Sequence, residues 1–481
     1  MRTILNPFRV LLAGALLSAV GVLAAPAAQA NTTQESVFQD DTVLLSGNPG
    51  PYLDQLKSLG VNTVHTLVFW NRLAPNPDSK TKPSGNLSDP NTYSAAAWAQ
   101  YDALVQGAAA RGITVQMTPT GFTPRWAACK NPGKYRNCQP SASAYQAFVT
   151  AIATRYSGSF NGLPKVSRWS FWNEPNQIAW ISPQVSHGQV VSAMYYRNLV
   201  YAGLAALKKT GHSHDKVLLG ETSPTARGNS TDPTRFLLAV FCVDSRGHHV
   251  STKAIGCNKF KRFSAISGFA HHPYNTSAIG PALRKPRGKG DITLAVLGRL
   301  NKVLALGAKG RAIKRNLPIY FTEYGIQTNP PNPQYGVSPV KQAMWLNQAD
   351  YTAYKNRTVK SVSQYELIDD PNNPDVFQTG LELSNGTPKP SLDAYRLPIW
   401  VTRKGSKSSI WLWVRPNGGR SQTVQIQHDT GGGFQTVGTA TTNSHGFATV
   451  SESGTSGTWR IAWVGPDGVT YFSRAGSVND R

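Results

Sequence analysis

Charged side chains are few in this chain, 15% of 481 residues, and acids are the scarcer kind: 25 Asp and Glu stand against 49 Lys and Arg, and glutamate occurs only seven times. A glutamate at a strand end is therefore a rare event that asks for a reason. Cysteine is nearly absent, and the four present fall into two close pairs, Cys129 with Cys138 and Cys242 with Cys257. In an oxidising compartment each pair can close a short surface loop. Neither pair has the CxxC spacing or nearby histidines of a zinc site, so no metal is expected. GxGxxG and P-loop phosphate cradles are missing as well, and no cofactor is implied. Long apolar runs are missing but for one, Val10 to Ala25, which follows Arg2 and Arg9 and precedes the small-x-small triplet Ala28-Gln29-Ala30. It reads as an export signal over residues 1–30 and falls short of the roughly 20 residues of a membrane span. The expectation is a secreted, extracellular protein beginning near Asn31, with no membrane span and monomeric.

Setting aside Arg2 and Arg9 leaves 47 Lys and Arg against 25 acids, a net charge of +22. The basic residues are scattered rather than gathered in a stripe, and no helix-turn-helix, zinc finger or RNA-binding signature accompanies them, so no nucleic acid partner is expected. A solvated basic surface suits export and contact with acidic cell walls or polyanionic polysaccharides.

What is abundant is alternation. From about residue 40 to 395, short β-branched and aromatic runs take turns with amphipathic stretches, as in repeated βα units. Eight runs qualify as strands: TVLLS (42–46), NTVHTLVF (62–69), TVQMTPT (114–120), SRWSFWN (167–173), VLLGET (217–222), AISGFAHH (265–272), PIYFTE (318–323) and SVSQYEL (361–367). Helices are predicted over 94–112, 143–156, 190–209, 293–310 and 340–355. In the first of these Trp98, Tyr101, Val105 and Ala108 share one face. Eight strands at this chain length predict an α/β fold, a (β/α)8 TIM barrel over 31–396, rather than an open sheet. After Pro398 short alternating runs separated by Gly, Asn and Ser predict a small all-β sandwich domain over 397–481. No fixed-period repeat is present.

In such a barrel the chemistry gathers at the C-terminal strand ends. Glu174, Glu221, Glu323 and Glu366 lie at or near the ends of predicted strands four, five, seven and eight. Cleaving a glycosidic bond with retention needs one carboxyl to donate a proton and another, about 5–5.5 Å away, to attack the anomeric carbon. Strands four and seven face each other across the mouth, so Glu174 and Glu323 can converge although 149 positions separate them.

SFWNEPN (170–176) followed by YFTEYG (320–325) resembles the clan A retaining glycoside hydrolases, a superfamily with cellulase-like, β-xylosidase-like and β-galactosidase-like members. The resemblance covers the barrel only. It implies Glu174 as acid/base, Glu323 as nucleophile and Asn173 as the amide that bonds the sugar 2-hydroxyl. It further implies that His272-Pro273-Tyr274 matches a His-x-Tyr element whose tyrosine bonds the nucleophile and keeps it ionised, with Glu174 held protonated by burial and the neighbouring charge. PTGFTPRW (119–126) is similar to a segment that sets an aromatic wall beside the sugar, making Trp126 a stacking candidate, and FWNRLAP (69–75) is similar to the β-galactosidase-like branch. Two positions depart from the pattern: His65 stands where relatives carry a strand-two arginine, and strand eight ends in Gln364, Tyr365 and Glu366 instead of a tryptophan. Trp180, just past the acid/base, is a candidate subsite platform. The activity implied is hydrolysis of O-glycosidic bonds in a poly- or oligosaccharide. A non-catalytic carbohydrate-binding barrel and a transglycosylase acting on cell-wall or capsular polysaccharide are the alternatives. Glu221 and Glu366 read as structural or substrate-contacting rather than catalytic, His271 as a satisfied hydrogen-bonding residue, and Trp411, Trp413, Trp459 and Trp463 as core of the terminal domain, with stacking on sugars the alternative.

Overall fold

The computed structural model describes residues 31–132, 137–275, 281–371 and 377–480; the expected export segment, 1–30, lies outside them. In chain order the elements are β1 (Glu35–Gln39), α1 (Asp41–Leu44), α2 (Gly50–Ser58), β2 (Thr63–Phe69), α3 (Trp70–Leu73), α4 (Ala95–Ala110), β3 (Thr114–Thr120), α5 (Ala142–Arg155), β4 (Arg168–Ser170), α6 (Val191–Lys209), β5 (Lys216–Thr222), α7 (Pro233–Phe241), β6 (Gly268–His271), α8 (Gly298–Lys309), β7 (Ile319–Phe321), α9 (Pro339–Lys355), β8 (Val359–Tyr365) and α10 (Pro390–Arg396). The eight strands close in sequence order into a parallel barrel, with β1 pairing both β2 and β8. This is the (β/α)8 architecture that the alternation predicts. No helix among the described residues is long and apolar enough to cross a membrane.

The first strand corrects the expectation. TVLLS (42–46) is no strand; β1 is the earlier run Glu35–Gln39, and Asp41–Leu44 forms one helical turn. Asp40 decides it. Its carboxylate accepts from Thr42 N and Val43 N at 3.1 and 3.2 Å, which caps a helix where a strand would need those amides for its ladder. Val43 and Leu44 still reach the core from that turn, so the apolar run buries its side chains without pairing.

Most predicted helices recur within a few residues. The one over 293–310 is shorter, Gly298–Lys309 preceded by a 3-10 turn, while α2, α7 and α10 and the single turns α1 and α3 went unforeseen. Both disulfides are formed, with Cα separations of 5.4 Å for Cys129–Cys138 and 5.5 Å for Cys242–Cys257. The second is not on the surface as expected, for it packs with Val191 and Ile255 in a small buried cluster.

From Ile399 onward the chain is antiparallel β. Strands β9 (Ile399–Lys404), β10 (Lys407–Trp413) and β13 (Phe447–Ser453) make one sheet; β11 (Thr423–Asp429), β12 (Gln435–Thr441), β14 (Thr458–Val464) and β15 (Thr470–Phe472) make another. Ile410 and Leu412 meet Ile426, Trp459 and Trp463 between the sheets. The alternate residues Trp411 and Trp413 point the other way, into the barrel's own core. Trp411 packs on Tyr351 and Tyr354 of α9, with ring centroids 5.5 and 5.3 Å apart. β10 is thus buried on both faces, which accounts for its unbroken IWLW run. A buried ion pair, Arg415 to Asp350 at 2.6 Å, fastens the same seam.

Candidate active site

The strand ends open into a cleft of about 670 Å³, within the range of small-molecule sites. Asn173 and Glu174 reach it through a sharp exit from β4, where Trp172 and Glu174 take φ of +66° and +37°. Such left-handed values are costly without glycine and concentrate at functional sites. Backbone bonds fix them: Trp172 N donates to Pro119 O at 3.0 Å and Glu174 N to Glu221 O at 2.9 Å, while Asn173 N donates to Thr120 Oγ1 at 2.9 Å. Beyond Pro175 the Asn176 amide donates to Ser223 O and Thr231 O and accepts from Ser223 N, tying this loop to the next one. The sequence reading passed over Asn176; its only signal was the second asparagine of Asn-Glu-Pro-Asn.

Glu221 depends on a bulge. The β5–β6 register shifts between Leu219 and Thr222, and Gly220 has φ of +125° with Ala270 O so near that any Cβ would collide with it. This kink turns Glu221, φ +48°, into the barrel interior, where it is fully buried. Its carboxylate accepts from Thr322 Oγ1 at 2.5 Å, Gln116 Nε2 at 3.1 Å and His272 Nε2 at 2.9 Å.

His272 is the centre of the site. Its Nε2 faces Glu221, and its Nδ1 lies 3.1 Å from Glu174 Oε1 and 3.4 Å from Glu323 Oε2. An ionised carboxylate only accepts, so Glu221 takes the Nε2 hydrogen, and the anionic charge of the carboxyl pair facing Nδ1 keeps a hydrogen there as well, which makes the ring an imidazolium. Burial pulls the His272 pKa down, but the charges of Glu323, Glu174 and Glu221 outweigh it and hold the group well above its ordinary value. Burial likewise pushes Glu221 up, and its partners reverse this and hold it at about 2. His65, pushed down to about 4 by burial, is neutral. We therefore assign the hold on Glu221 to His272, although His65 Nε2 stands 3.9 Å away.

Glu323 stands two residues past the end of β7, its side chain 11% exposed. Tyr274 OH donates to its Oε2 at 3.4 Å, a long bond, and the Tyr274 pKa is raised well above its ordinary value by burial, so the phenol stays a donor. Burial pushes Glu323 up to about 7; the His272 cation opposes that rise, and Glu174, Glu221 and Asp41 add to it. The expectation that Tyr274 alone keeps this carboxylate ionised is thus incomplete, because His272 supplies the only positive charge beside it among the described residues. Glu174, His272 and Glu323 each offer one donor atom, all within 4.8 Å of one another. With both nitrogens of His272 protonated there is no ring lone pair for a metal, and the cluster works as an ion-paired network.

The remaining candidates divide. Asn173 lines the cleft, and its buried Oδ1 has no partner among the described residues. Trp180 also lines it, stacked on Phe122 and Phe69 at 5.6 and 6.3 Å. Trp126 does not; it packs edge-on against Trp70 at 6.0 Å, away from the cleft lining. His65 and His272 are fully buried below the floor, so neither is a direct sugar contact; His65 binds Thr118 Oγ1 at 2.7 Å and Thr322 O at 3.3 Å. His271 is satisfied by Thr222 Oγ1 and Ile292 O, each at 2.8 Å. Glu366 accepts from Thr379 N and Oγ1. A carboxylate that sequence reasoning missed, Asp41, lines the cleft beside Tyr365 and Glu323.

No family model matches the chain, and no curated protein matches it in sequence. Among solved structures it is similar to a family 39 glycoside hydrolase from Bacteroides cellulosilyticus WH2, at 15% identity and a TM-score of 0.50 over 88% of this chain and 79% of that one. It is also similar to a glucosidase from Croceicoccus marinus, at 13% identity and a TM-score of 0.48 over 88% and 81%. The first likeness establishes a shared fold.

Proposed function

We propose that the protein is a secreted glycosidase that hydrolyses O-glycosidic bonds by double displacement. The observation that carries this reading is that Glu174 and Glu323 offer carboxylate oxygens within 4.8 Å of each other over one cleft. That spacing suits direct attack, whereas an inverting pair needs about 6.5–9.5 Å to admit a water. Glu323 attacks the anomeric carbon while the glycosidic C–O bond breaks and the departing oxygen takes the proton of Glu174. Glu174, now a carboxylate, removes a proton from water, whose oxygen attacks the same carbon and frees Glu323. In this reading Glu323 works as the anion, with Tyr274 OH donating to its Oε2 at 3.4 Å and the His272 cation 3.4 Å from the same oxygen, while Glu174 supplies the proton. Asn173 Oδ1 is free to accept from a sugar hydroxyl. The two disulfides support export.

Product stereochemistry by NMR on an aryl glycoside panel tests the mechanism, with retention expected. Glu323→Gly should lose about 10⁴-fold or more in kcat and regain turnover with added azide or formate. Inverted products, or labelling of any residue other than Glu323 by a 2-deoxy-2-fluoro glycoside, would refute it.

A further inference from the structure

Asp41 is a cleft carboxylate with no part in the double displacement. It opens α1 straight after β1, so barrel closure sets it between the mouths of β8 and β2. Its Oδ1 accepts from Thr66 Oγ1 at 2.7 Å, and Leu67 N stands 3.4 Å from both oxygens. One oxygen is therefore anchored in the wall, while Oδ2 has no donor closer than that 3.4 Å contact among the described residues. Asp41, Glu174 and Glu323 make the lining acidic; Arg72 and Arg227, the cations that line it, are both exposed at its rim, and the Arg72 guanidinium lies over the Phe69 ring at 4.3 Å.

We propose that Asp41 is the specificity-determining residue of the reacting subsite: its carboxyl grips hydroxyl groups of the sugar unit that Glu323 attacks, and it selects neutral glycosyl units over uronic acids. This rests on the glycosidase reading. A carboxylate accepts from sugar O–H groups, and such charge-assisted bonds are among the stronger ones. A uronate in the same place would set a further anion against Asp41 and Glu323 in a partly dry cleft, where like charges repel strongly. Burial pushes Asp41 up to about 7, so it can donate as well as accept near neutrality, which serves a hydroxyl either way. The basic surface draws polyanions toward the molecule, but attraction at long range does not choose the sugar at the reacting carbon.

The test measures kcat/KM for 4-nitrophenyl glycosides of neutral pyranoses and of glucuronic acid, in both anomeric forms, with wild type, Asp41→Asn and Asp41→Ala. Wild type should prefer a neutral sugar by about 100-fold or more, and Asp41→Ala should lower kcat/KM on that sugar about 100-fold. Asp41→Asn keeps the shape and removes the charge, so the neutral-to-uronide ratio should fall about 10-fold in both variants. A merely structural role would lower both substrates together. A ratio unmoved in both variants, or a wild type that prefers the uronide, overturns the role of Asp41 while leaving the glycosidase reading intact. A wild type that cleaves no glycoside and takes no 2-fluoro label on Glu323 overturns that reading, and this inference falls with it.

Discussion

Replacing His272 by Gln removes the one positive charge at the heart of the site while keeping a polar side chain of similar length. Glu221 is held at about 2 against its ordinary 4.5, a difference equivalent to about 3 kcal/mol of stability. Its folded pKa lies below the unfolded one, so that stability is fully present above pH 4.5 and is lost as pH falls toward 2. In His272→Gln the buried carboxylate keeps Thr322 and Gln116 as donors but loses its counter-charge. Breaking a buried ion pair by removing one partner costs about 3–5 kcal/mol. Guanidinium unfolding between pH 3 and 8 should therefore show the variant about 3 kcal/mol weaker at pH 7, with the gap narrowing on the acid side as Glu221 is protonated. Activity moves as well. Glu323, pushed by burial to about 7, loses the cation that opposed that rise, so the acidic limb of the kcat/KM profile should shift to higher pH. A variant within 1 kcal/mol of wild type at pH 7 by the same unfolding, roughly the size of an ordinary surface effect, and with its acid limb unmoved, would refute the assignment of His272 as the electrostatic keystone.

Asn173→Ala should lower kcat/KM about 10- to 100-fold while changing unfolding stability by less than about 0.5 kcal/mol, because the buried Oδ1 it removes has no partner among the described residues. Trp411→Ala should cost about 3–5 kcal/mol in chemical unfolding and leave polysaccharide co-sedimentation unchanged, since Trp411 is 1% exposed and packed on α9. Reducing Cys242–Cys257, which closes a 15-residue separation, should lower stability by about 3 kcal/mol, read as a shifted denaturant midpoint against the Cys242→Ala/Cys257→Ala variant.

The parts of the fold that read clearly from sequence were those with local causes. Strands two to eight carry their own β-branched and aromatic runs and end near the residues expected of them, because the face each turns to the helices demands apolar residues such as Val64, Val115 and Met117, while interior positions such as His65, Gln116 and Thr118 are polar and bonded to one another or to Glu221. Strand one failed because a competing local signal outweighed the run. Asp40 captures two amides of TVLLS, and nothing in an apolar run reveals that its hydrogen bonds are spoken for. That misplacement also hid Asp41: standing just before a supposed strand it drew no reading, whereas it lies just past a strand's C-terminal end, where the chemistry collects.

The site shows the same division at a finer scale. Glu174 and Glu323 were legible because each sits in a short motif at a strand end. The role of His272 was not, because its three partners come from the ends of β4, β5 and β7 and become neighbours only when the barrel closes. The scarcity of acid in the chain bears on this directly. Three of seven glutamates surround one imidazolium, two of them buried, and another buried glutamate, Glu366, directly follows β8. Burying carboxylates is expensive unless each is paired or bonded. A chain that spends so many of its few glutamates in one cavity, and bends β5 through a glycine bulge to bring Glu221 under the other two, gains little for its fold by doing so. Fold stability alone is served better by apolar side chains of the same volume. The arrangement makes sense as chemistry: the imidazolium balances Glu221 from below and sets a positive charge beside Glu174 and Glu323, the pair that the proposed double displacement uses.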